Sequence, residues 1–481
     1  MPKRGRKAIS GGRMRLFNTY SRQVETIEPL KPPLVTVYTC GPTVYSYTHV
    51  GHWFTYVRMD MLIRALISSG LTTKWVMNIT DVGHLTSDAD DGEDKLASAA
   101  KKEGKTAWEV AQFYTDDFLK GMKQLNILEP NFIVKATDHI SDQIELIKKL
   151  EAKGFTYKIS DGIYYNTSKF PRYADFARLD LDEQQPGARI SYNPEKKNPS
   201  DFALWKFSPA NKKRDMEWQS PWGNGFPGWH IECSAMSMKY LGETLDIHTG
   251  GIDHIPVHHT NEIAQSEAVT NKPLASYWMH SNHVLIKGEK ISKSLDNSIT
   301  IADVIKKGYS PEVLRLHILE SSYRNQSTFS WSGLEAAKNR LGDLKALAAL
   351  RYQARDKDFD LPTFTLEDVG TEIAKSIQED LNTPAALAFL SDVTTQLLTT
   401  HIQTNMIDHF EAMLSAIDNL LGLSLSSVSD ITEEQKALIA KRTGAREKNS
   451  WQEADSIRQE LEKQKIGLND SPGGSTWYPI I

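Results

Sequence analysis

The sequence predicts an α/β fold with a parallel sheet, because strand and helix patterns alternate near its N-terminus. Residues 34–39 alternate apolar and polar side chains and include β-branched residues, which favours a strand. Helical spacing of apolar residues follows over about 52–69, and residues 75–79 indicate a second strand that ends at Thr80. A βαβ unit binds its ligand at the carboxyl ends of its strands, where Cys40 and Thr80 lie.

A second α/β stretch, at 243–297, predicts the other half of the same Rossmann-like domain. We expect a strand at 245–248, a turn at Gly250-Gly251 and a helix at 257–270. The residues between the halves, roughly 129–225, are rich in aromatic residues, proline and glycine and predict an insertion.

The C-terminal part of the chain is expected to be mostly helical beyond Pro311. Thr383 and Pro384 predict a helix start with an N-cap threonine and a first-turn proline. Residues 470–477 contain a glycine pair and are expected to form turns.

Composition leaves the function open but narrows its class. A length of 481 residues suggests about three domains, and no apolar run approaches the roughly 20 residues that span a bilayer. Two cysteines cannot form a disulfide framework, so a cytoplasmic location is expected. The net charge of −5 gives no support for general nucleic-acid binding, so any RNA contact must depend on local patches. Residues 1–13 are basic, lack the apolar core of a secretory signal, and predict a disordered tail.

Both cysteines lie beside other metal-ligating residue types. Cys40 follows the first predicted strand, and Cys233 precedes His258 and Glu262, which are four residues apart and would share one helix face. Two thiols, an imidazole and a carboxylate can hold one zinc ion. Glu232 and His259 are rival ligands by proximity, and packing alone explains many buried cysteines.

Three further patterns suit a nucleotide. His49-Val50-Gly51-His52 stands at a predicted helix start, where imidazoles and backbone amides favour phosphate. Lys290 and Lys293, in Lys-Ile-Ser-Lys-Ser, can bring positive charge to a triphosphate, although a solvated basic turn has the same composition. Gly250-Gly251-Ile252-Asp253 offers bare backbone for a base and a carboxylate for a ribose hydroxyl, although glycine pairs are common in plain turns.

The acidic residues 88–94 are similar in composition to a calcium-binding loop. Their glycine is the fifth residue, whereas the calcium loop requires glycine at the sixth position. A solvated acidic loop is the better interpretation.

Together these motifs resemble those of cysteinyl-tRNA synthetases, which are class I aminoacyl-tRNA synthetases. The resemblance covers nearly the whole chain from about Met14. It is carried by the segments at 40–45, 49–52, 78–81, 197–206, 220–223, 227–236, 261–265 and 290–294.

The resemblance implies roles for individual residues and a set of ligands. It implies one zinc ion, held by Cys40, Cys233, His258 and Glu262 rather than by Glu232 or His259, and magnesium that accompanies ATP. The implied amino-acid pocket consists of Gly41, Thr43, Thr80 and Trp229. ATP would be handled by His49, His52, Gly250, Asp253, Lys290 and Lys293, of which the two histidines and the two lysines are the implied catalytic residues.

The resemblance also implies a domain order and partners. We expect a tail at 1–13, a Rossmann-like catalytic domain at 14–128 and 226–300, an inserted domain at 129–225, and a connecting helical region at 301–350. A helical anticodon-binding bundle at 351–424 and a small tRNA-binding module at 425–481 would follow. The implied partners are tRNA(Cys), ATP and L-cysteine, with no membrane, and we expect a monomer.

Two other functions are compatible with the same core. One is the cysteine ligase of mycothiol synthesis, which joins cysteine to an amino-sugar, and the other is a non-catalytic, zinc-stabilised RNA-binding paralogue. The long region after residue 350 disfavours the first, and the intact histidine pair and lysine segment disfavour the second.

The sequence departs from the family pattern at three places. Isoleucine stands at position 291, where methionine is common, and Thr260 replaces a common glutamate beside the zinc motif. After Asp81, residues 82–84 and the longer acidic loop replace a short acidic segment, which is expected to alter how the surroundings of Thr80 close.

Overall fold

The computed structural model describes residues 12–83, 94–179, 193–209, 214–286, 289–290, 298–355, 364–400, 402–471 and 474–481. The acidic residues 88–93, Lys293 and residues 1–11 of the basic tail lie outside these ranges. The N-terminal part of the chain, up to residue 135, forms β1 Arg15–Asn18, β2 Gln23–Thr26, β3 Leu34–Thr39, α1 Val50–Ser68, β4 Thr72–Ile79, α2 Lys95–Glu103, α3 Ala107–Gln124 and β5 Phe132–Lys135.

The inserted residues and the second half follow. They form α4 Ile140–Ala152, β6 Thr156–Ile159, β7 Gly162–Tyr165, β8 Phe202–Phe207, β9 Gly225–Pro227, α5 Trp229–Leu241, β10 Leu245–Gly251, α6 Thr260–Thr270, β11 Ala275–Ser281, β12 Val284–Ile286 and β13 Glu289–Lys290. Strands β6 to β9 pair in order as an antiparallel sheet.

The remaining chain is mainly helical. Its elements are α7 Ile301–Lys306, α8 Pro311–Leu319, β14 Ser327–Phe329, α9 Trp331–Ala349, α10 Leu366–Gln378, α11 Thr383–Thr400, α12 Ile407–Leu421, α13 Glu433–Glu447, α14 Trp451–Lys463, β15 Ile466–Ser471 and β16 Gly474–Pro479. In the described residues, no helix is long and apolar enough to cross a membrane.

The predicted Rossmann-like core is confirmed. Five parallel strands pair in the order β11-β10-β3-β4-β5, so the chain changes direction across the sheet between β3 and β10. Ligands of open α/β sheets bind at such a switch point, beyond the carboxyl ends of the strands. Cys40 lies there, with its backbone N–H 3.1 Å from the carbonyl oxygen of Thr249 in β10.

Two local predictions for the second half were wrong. Gly250 and Gly251 end β10 instead of forming a turn, because both continue its pairing with β11. The expected helix at 257–270 begins earlier, as a π-helical turn at Ile255–His259, and becomes α-helical only at α6. Such turns are uncommon and often occur at functional sites.

The sheet separates two hydrophobic cores. Val37 and Met77 face the core shared with α1 and the helical region, whereas Tyr38 and Val76 face the core shared with α5 and the inserted sheet. Strand β5 pairs with β4 although it lies within the range expected for the inserted domain. The division of the chain into domains otherwise stays a prediction.

The helical region is fixed to α1 by buried charges. Asp60 accepts hydrogen bonds from Arg64 at 2.8 Å and from Arg315 of α8 at 2.5 Å. Both arginines also donate to carbonyl groups at the end of α12, including that of Leu421, 2.8 Å from Arg315. A buried ion pair with its donors satisfied orients the elements that supply it.

The start of α11 and the C-terminal hairpin differ in detail from their predictions. Pro384 lies in the first turn as expected, but Thr383 is the first helical residue, and the side chain of Asn382 accepts from the backbone of Ala385. The expected turns at 470–477 are mostly the paired strands β15 and β16, joined by a short connection. Trp477 is buried there, and its backbone N–H donates to Gln353 after α9.

Candidate metal centre and active site

Four side chains from distant segments converge at the switch point. Cys40 follows β3, Cys233 lies in the second turn of α5, His258 belongs to the π-helical turn, and Glu262 lies one turn later in α6. All four are buried, and one ligand atom from each lies within 4.8 Å of the others. The two sulfur atoms are 3.9 Å apart, and Nε2 of His258 is 3.1 Å from Oε1 of Glu262.

The charges in this cluster are strongly coupled. Burial raises the pKa of Cys40, whereas the hydrogen bond from Cys40 lowers that of Cys233. Burial alone would lower the pKa of His258, but Cys233 and Glu262 raise it to about 10. Burial would likewise raise the pKa of Glu262, but His248 and His258 lower it to about 2. Thiolate, imidazole and carboxylate are the donors that zinc takes, so the four residues fit a zinc ion.

A second grouping shares two of these residues. Cys40 and Glu262 also lie within reach of His248 and His259. Nε2 of His259 is 3.4 Å from the sulfur of Cys40, and Nε2 of His248 is 2.8 Å from Oε2 of Glu262. The other rival, Glu232, lies apart from both groupings, and its Oε2 accepts from the hydroxyl of Thr80 at 3.2 Å.

The implied amino-acid pocket is assembled around this cluster. Gly41, Thr43, Thr80 and Trp229 line a cavity of about 300 Å³ that also contacts Cys40, Cys233 and His258. A Cβ on Gly41 would lie 1.6 Å from the backbone oxygen of Asn78, so glycine is required there. The indole of Trp229 stands 4.9 Å from the ring of His258.

The histidine pair of the implied ATP site lies at the start of the first helix. His49 is the N-cap of α1, His52 lies in its first turn, and their rings stack at 3.7 Å between centroids. The backbone of Val50, between them, donates to Ile299 at 2.7 Å, which places this turn beside the chain that follows the lysine segment. His52 and Asp253 line the same cavity as the residues of the implied amino-acid pocket.

The other implied ATP residues are brought together only in part. Among the described residues, Gly251 lines the cavity and Gly250 does not; a Cβ on Gly250 would lie 2.6 Å from Nδ1 of His254. Burial raises the pKa of Asp253, but the neighbouring His254 reverses this, and the net pKa is lowered. The backbone of Lys290 pairs with Leu285 in the β12–β13 hairpin, and Lys293 lies outside the described residues. Roles in ATP binding stay predictions.

Sequence reasoning missed three further buried histidines, His230, His248 and His280, which contact the cluster or the rival ligand His259. His230 Nδ1 lies 2.9 Å from His258 Nδ1, and His259 Nδ1 lies 2.7 Å from His280 Nε2. His248 could have been found, because it lies near the carboxyl end of a predicted strand. His280 had no local signal, because β11 was not predicted.

Comparison with known proteins decides the family. A family model described as "tRNA synthetases class I (C) catalytic domain" matches residues 26–339. A cysteine–tRNA ligase of Treponema denticola is 41% identical, covering 97% of this chain and all of that protein. Another from Thermococcus gammatolerans is 37% identical over 97% of this chain and 99% of its own length. The chain belongs to the cysteine–tRNA ligase family.

Solved structures of lower identity share the fold. Methionyl-tRNA synthetase of Mycobacterium tuberculosis, in complex with methionyl-adenylate, superposes with a TM-score of 0.58 at 14% identity, over 82% of this chain and 93% of that one. The leucyl-tRNA synthetase (LeuRS) of Agrobacterium radiobacter superposes with a TM-score of 0.57 at 12% identity, over 84% of this chain and 87% of that one. Family membership makes this chain a class I aminoacyl-tRNA ligase, and the expectation from its motifs is confirmed.

Proposed function

We propose that the enzyme activates L-cysteine with ATP and transfers it to the 3′ end of tRNA(Cys), selecting cysteine by its sulfur. The observation that carries this proposal is the convergence of Cys40, Cys233, His258 and Glu262, because the first three of them line the same cavity as His52 and Asp253. A thiol held at the cluster would direct the rest of the amino acid toward the start of α1.

Two displacements make up the reaction. The cysteine carboxylate attacks the α-phosphorus of ATP and pyrophosphate leaves, and then the 2′-hydroxyl of the terminal adenosine attacks the acyl carbon and AMP leaves. Neither step needs a protein nucleophile, so the protein acts by positioning and by stabilising charge. The positive end of the α1 dipole would favour phosphate, and His52 stands in the first turn of that helix. Lys290 and Lys293 would offset the charge of the leaving pyrophosphate, with Mg²⁺ accompanying ATP.

Selection against serine follows from the donor set. Pocket shape alone rejects an analogue that differs by one group by about 10- to 200-fold, whereas translation requires about 10⁴. When bound, zinc offers a coordination position that takes a soft thiolate in preference to a hydroxyl. Cys40, Cys233, His258 and Glu262 would hold it at the buried floor of the pocket, with Trp229 and Thr80 beside it.

The remaining parts of the chain suit a large acceptor. The helical region after residue 350 and the α13–α14 module with its hairpin would contact the tRNA, whereas an amino-sugar acceptor needs neither. We place the enzyme in the cytoplasm as a monomer.

One preparation tests the proposal. Purified protein is assayed for cysteine-dependent charging of tRNA(Cys), and its zinc content is measured on the same sample. We expect charging and about one zinc per chain. Charging by protein that holds no metal would contradict the zinc assignment, and exchange of pyrophosphate without any tRNA charging would favour the amino-sugar ligase.

A further inference from the structure

A buried glutamate beside the metal cluster has no part in the reaction described so far. Glu232 precedes Cys233 in α5, is buried, and belongs to neither grouping of described residues that fits a metal. Its Oε2 atom accepts a hydrogen bond from the hydroxyl of Thr80 at 3.2 Å. A carboxylate is costly to bury, so its contact with a residue of the implied amino-acid pocket points to a role there.

The hydroxyl of Thr80 belongs to a chain of hydrogen bonds whose direction is fixed. The chain starts at the backbone N–H of Gly41, which can only donate, and Oδ1 of Asn78 accepts from it at 2.7 Å. This contact orients the amide of Asn78, so its Nδ2 donates to Oγ1 of Thr80 at 3.0 Å. The proton of the Thr80 hydroxyl is therefore directed to Glu232, whose carboxylate accepts it.

This direction leaves the Thr80 hydroxyl able to accept a hydrogen bond from a ligand but not to donate one. A hydroxyl has one proton and two lone pairs. In Thr80 the proton is engaged by Glu232 and one lone pair by Asn78, so a ligand in the cavity meets the other lone pair. A lone pair binds an ammonium group and repels a carboxylate.

Thr80 is held next to both cysteines of the metal cluster. Its backbone N–H donates to the carbonyl oxygen of Pro42, two residues after Cys40, at 3.0 Å. Glu232, which accepts from its hydroxyl, is the residue before Cys233. Thr80 and the two cysteines line one cavity. In the substrate the nitrogen lies about 3–4 Å from the sulfur, by ordinary bond lengths, so a sulfur at the cluster brings the ammonium group to the part of the cavity beside Thr80.

We propose that Glu232 is a positioning residue, which orients the Thr80 hydroxyl to accept from the ammonium group of cysteine. The inference deepens the proposed function and depends on it. With the sulfur at the cluster and the ammonium group at Thr80, two of the three polar groups of the substrate are fixed, and the carboxylate is the group that turns to ATP. Orienting a reacting group before the reaction lowers the barrier to it.

The test compares two ligands that differ in the ammonium group alone. L-cysteine and 3-mercaptopropionate, which keeps the thiol and the carboxylate, are titrated calorimetrically into zinc-loaded protein. The ratio of their affinities is the readout, because other changes in the pocket act on groups that both ligands share. We expect L-cysteine to bind about 10- to 100-fold more tightly to the unmodified protein, as a charge-assisted hydrogen bond allows. Glu232→Met, which removes the acceptor at similar volume, should lower the ratio about tenfold.

A double substitution separates orientation of the hydroxyl from loss of charge. A direct effect of the lost carboxylate charge on the ammonium group would persist without the hydroxyl, whereas the proposed effect requires it. In the Thr80→Val background, Glu232→Met should therefore change the ratio less than about twofold. Thr80→Val alone should lower the ratio as Glu232→Met does, and Thr80→Ser should preserve it. These two variants test the contact even if Glu232→Met does not fold.

Asp81→Asn is the matched control. Asp81 is also a buried carboxylate and adjoins Thr80, but it accepts from the backbone and the hydroxyl of Thr137, at 2.9 and 2.7 Å. Its substitution should leave the ratio unchanged. An unchanged ratio in Glu232→Met, an equal fall with and without the Thr80 hydroxyl, or an equal fall in Asp81→Asn would overturn the assignment, as would equal affinities of the unmodified protein for the two ligands. Failure of the unmodified protein to bind either thiol would count against the proposed function instead.

Discussion

The sulfur atoms of Cys40 and Cys233 lie 3.9 Å apart although 193 residues separate them in the chain. They meet because β3 ends, and α5 begins, beside the switch point of the parallel sheet. The cluster therefore exists only in the folded protein, and an ion that binds it also stabilises the fold.

Replacing each of two neighbouring histidines should show which grouping holds the metal. We expect His258→Asn to reduce zinc to well below one per chain, because His258 is the only imidazole of the first grouping. His259→Asn should retain most of the metal. Zinc content is measured by atomic emission after dialysis, with circular dichroism as a check on folding. The reverse result would place the ion at His248 and His259.

Gly41→Ala should damage the pocket and destabilise the protein. Its Cβ would lie 1.6 Å from the backbone oxygen of Asn78, so β4 or the chain after β3 must move. Overpacking of this kind costs about 1–3 kcal/mol, and here we expect the upper end together with a large loss of cysteine activation. Urea unfolding and pyrophosphate exchange measure the two effects.

Gly444→Ala is the control for that substitution. Gly444 lies inside α13, with no atom within 4 Å of a Cβ placed there. Alanine in a helix interior should raise stability by up to about 1 kcal/mol and leave exchange unchanged. Equal changes in unfolding free energy and in pyrophosphate exchange for Gly41→Ala and Gly444→Ala would contradict the steric argument at Gly41.

The sequence predicted those parts of the fold and site that depend on local patterns. Alternation at 34–39 and helical spacing after residue 52 correspond to β3 and α1. Local patterns left Glu232 and His259 open as ligands, and only the family resemblance implied the four residues that lie together in the structure. The expected turn at Gly250-Gly251 failed because pairing with β11, a non-local contact, extends β10 through both glycines.

Other features depend on tertiary packing and had no local signal. The hairpin at 466–479 forms because Trp477 is buried and its backbone is bound by Gln353, more than 120 residues away in sequence. The second grouping around His248 and His259 likewise requires β10 to pair with β3 and the π-helical turn to lead into α6.

The C-terminal module should lose stability in acid through one carboxylate. Hydrogen bonds from Arg442, at 2.8 and 2.7 Å, lower the pKa of Asp470 in β15. A depressed pKa in the folded state contributes stability above the unfolded value of about 4, and this contribution is lost as pH falls below it. Amide exchange of the β15–β16 hairpin should therefore be faster in Asp470→Asn than in the unmodified protein at pH 7.

That difference should shrink as the pH is lowered from about 5 toward 3, because Asp470 becomes protonated in the unfolded state. Exchange is compared after correction for the intrinsic pH dependence of amides. Amides of β3 serve as an internal control, since β3 belongs to the parallel sheet and not to the β15–β16 hairpin. A difference that grows in acid would contradict the assigned direction of the pKa shift.

Removal of residues 431–481 should impair tRNA charging more than cysteine activation. We expect charging of tRNA(Cys) to fall at least tenfold more than cysteine-dependent pyrophosphate exchange, because the deleted α13, α14 and hairpin contribute no residue to the described cavity. Unfolding of the truncated protein is followed to confirm that the catalytic sheet remains intact. Equal losses would indicate that the module supports the catalytic core instead of the tRNA.

The most direct test measures pyrophosphate exchange with cysteine and with serine, before and after removal of metal by a chelator. Selection by sulfur at the cluster predicts a preference for cysteine of about 10⁴ or more in the loaded enzyme. It also predicts loss of cysteine-dependent exchange on chelation and its recovery when zinc is restored. An unchanged preference in metal-free protein, or exchange with serine nearly as fast as with cysteine, would contradict the account.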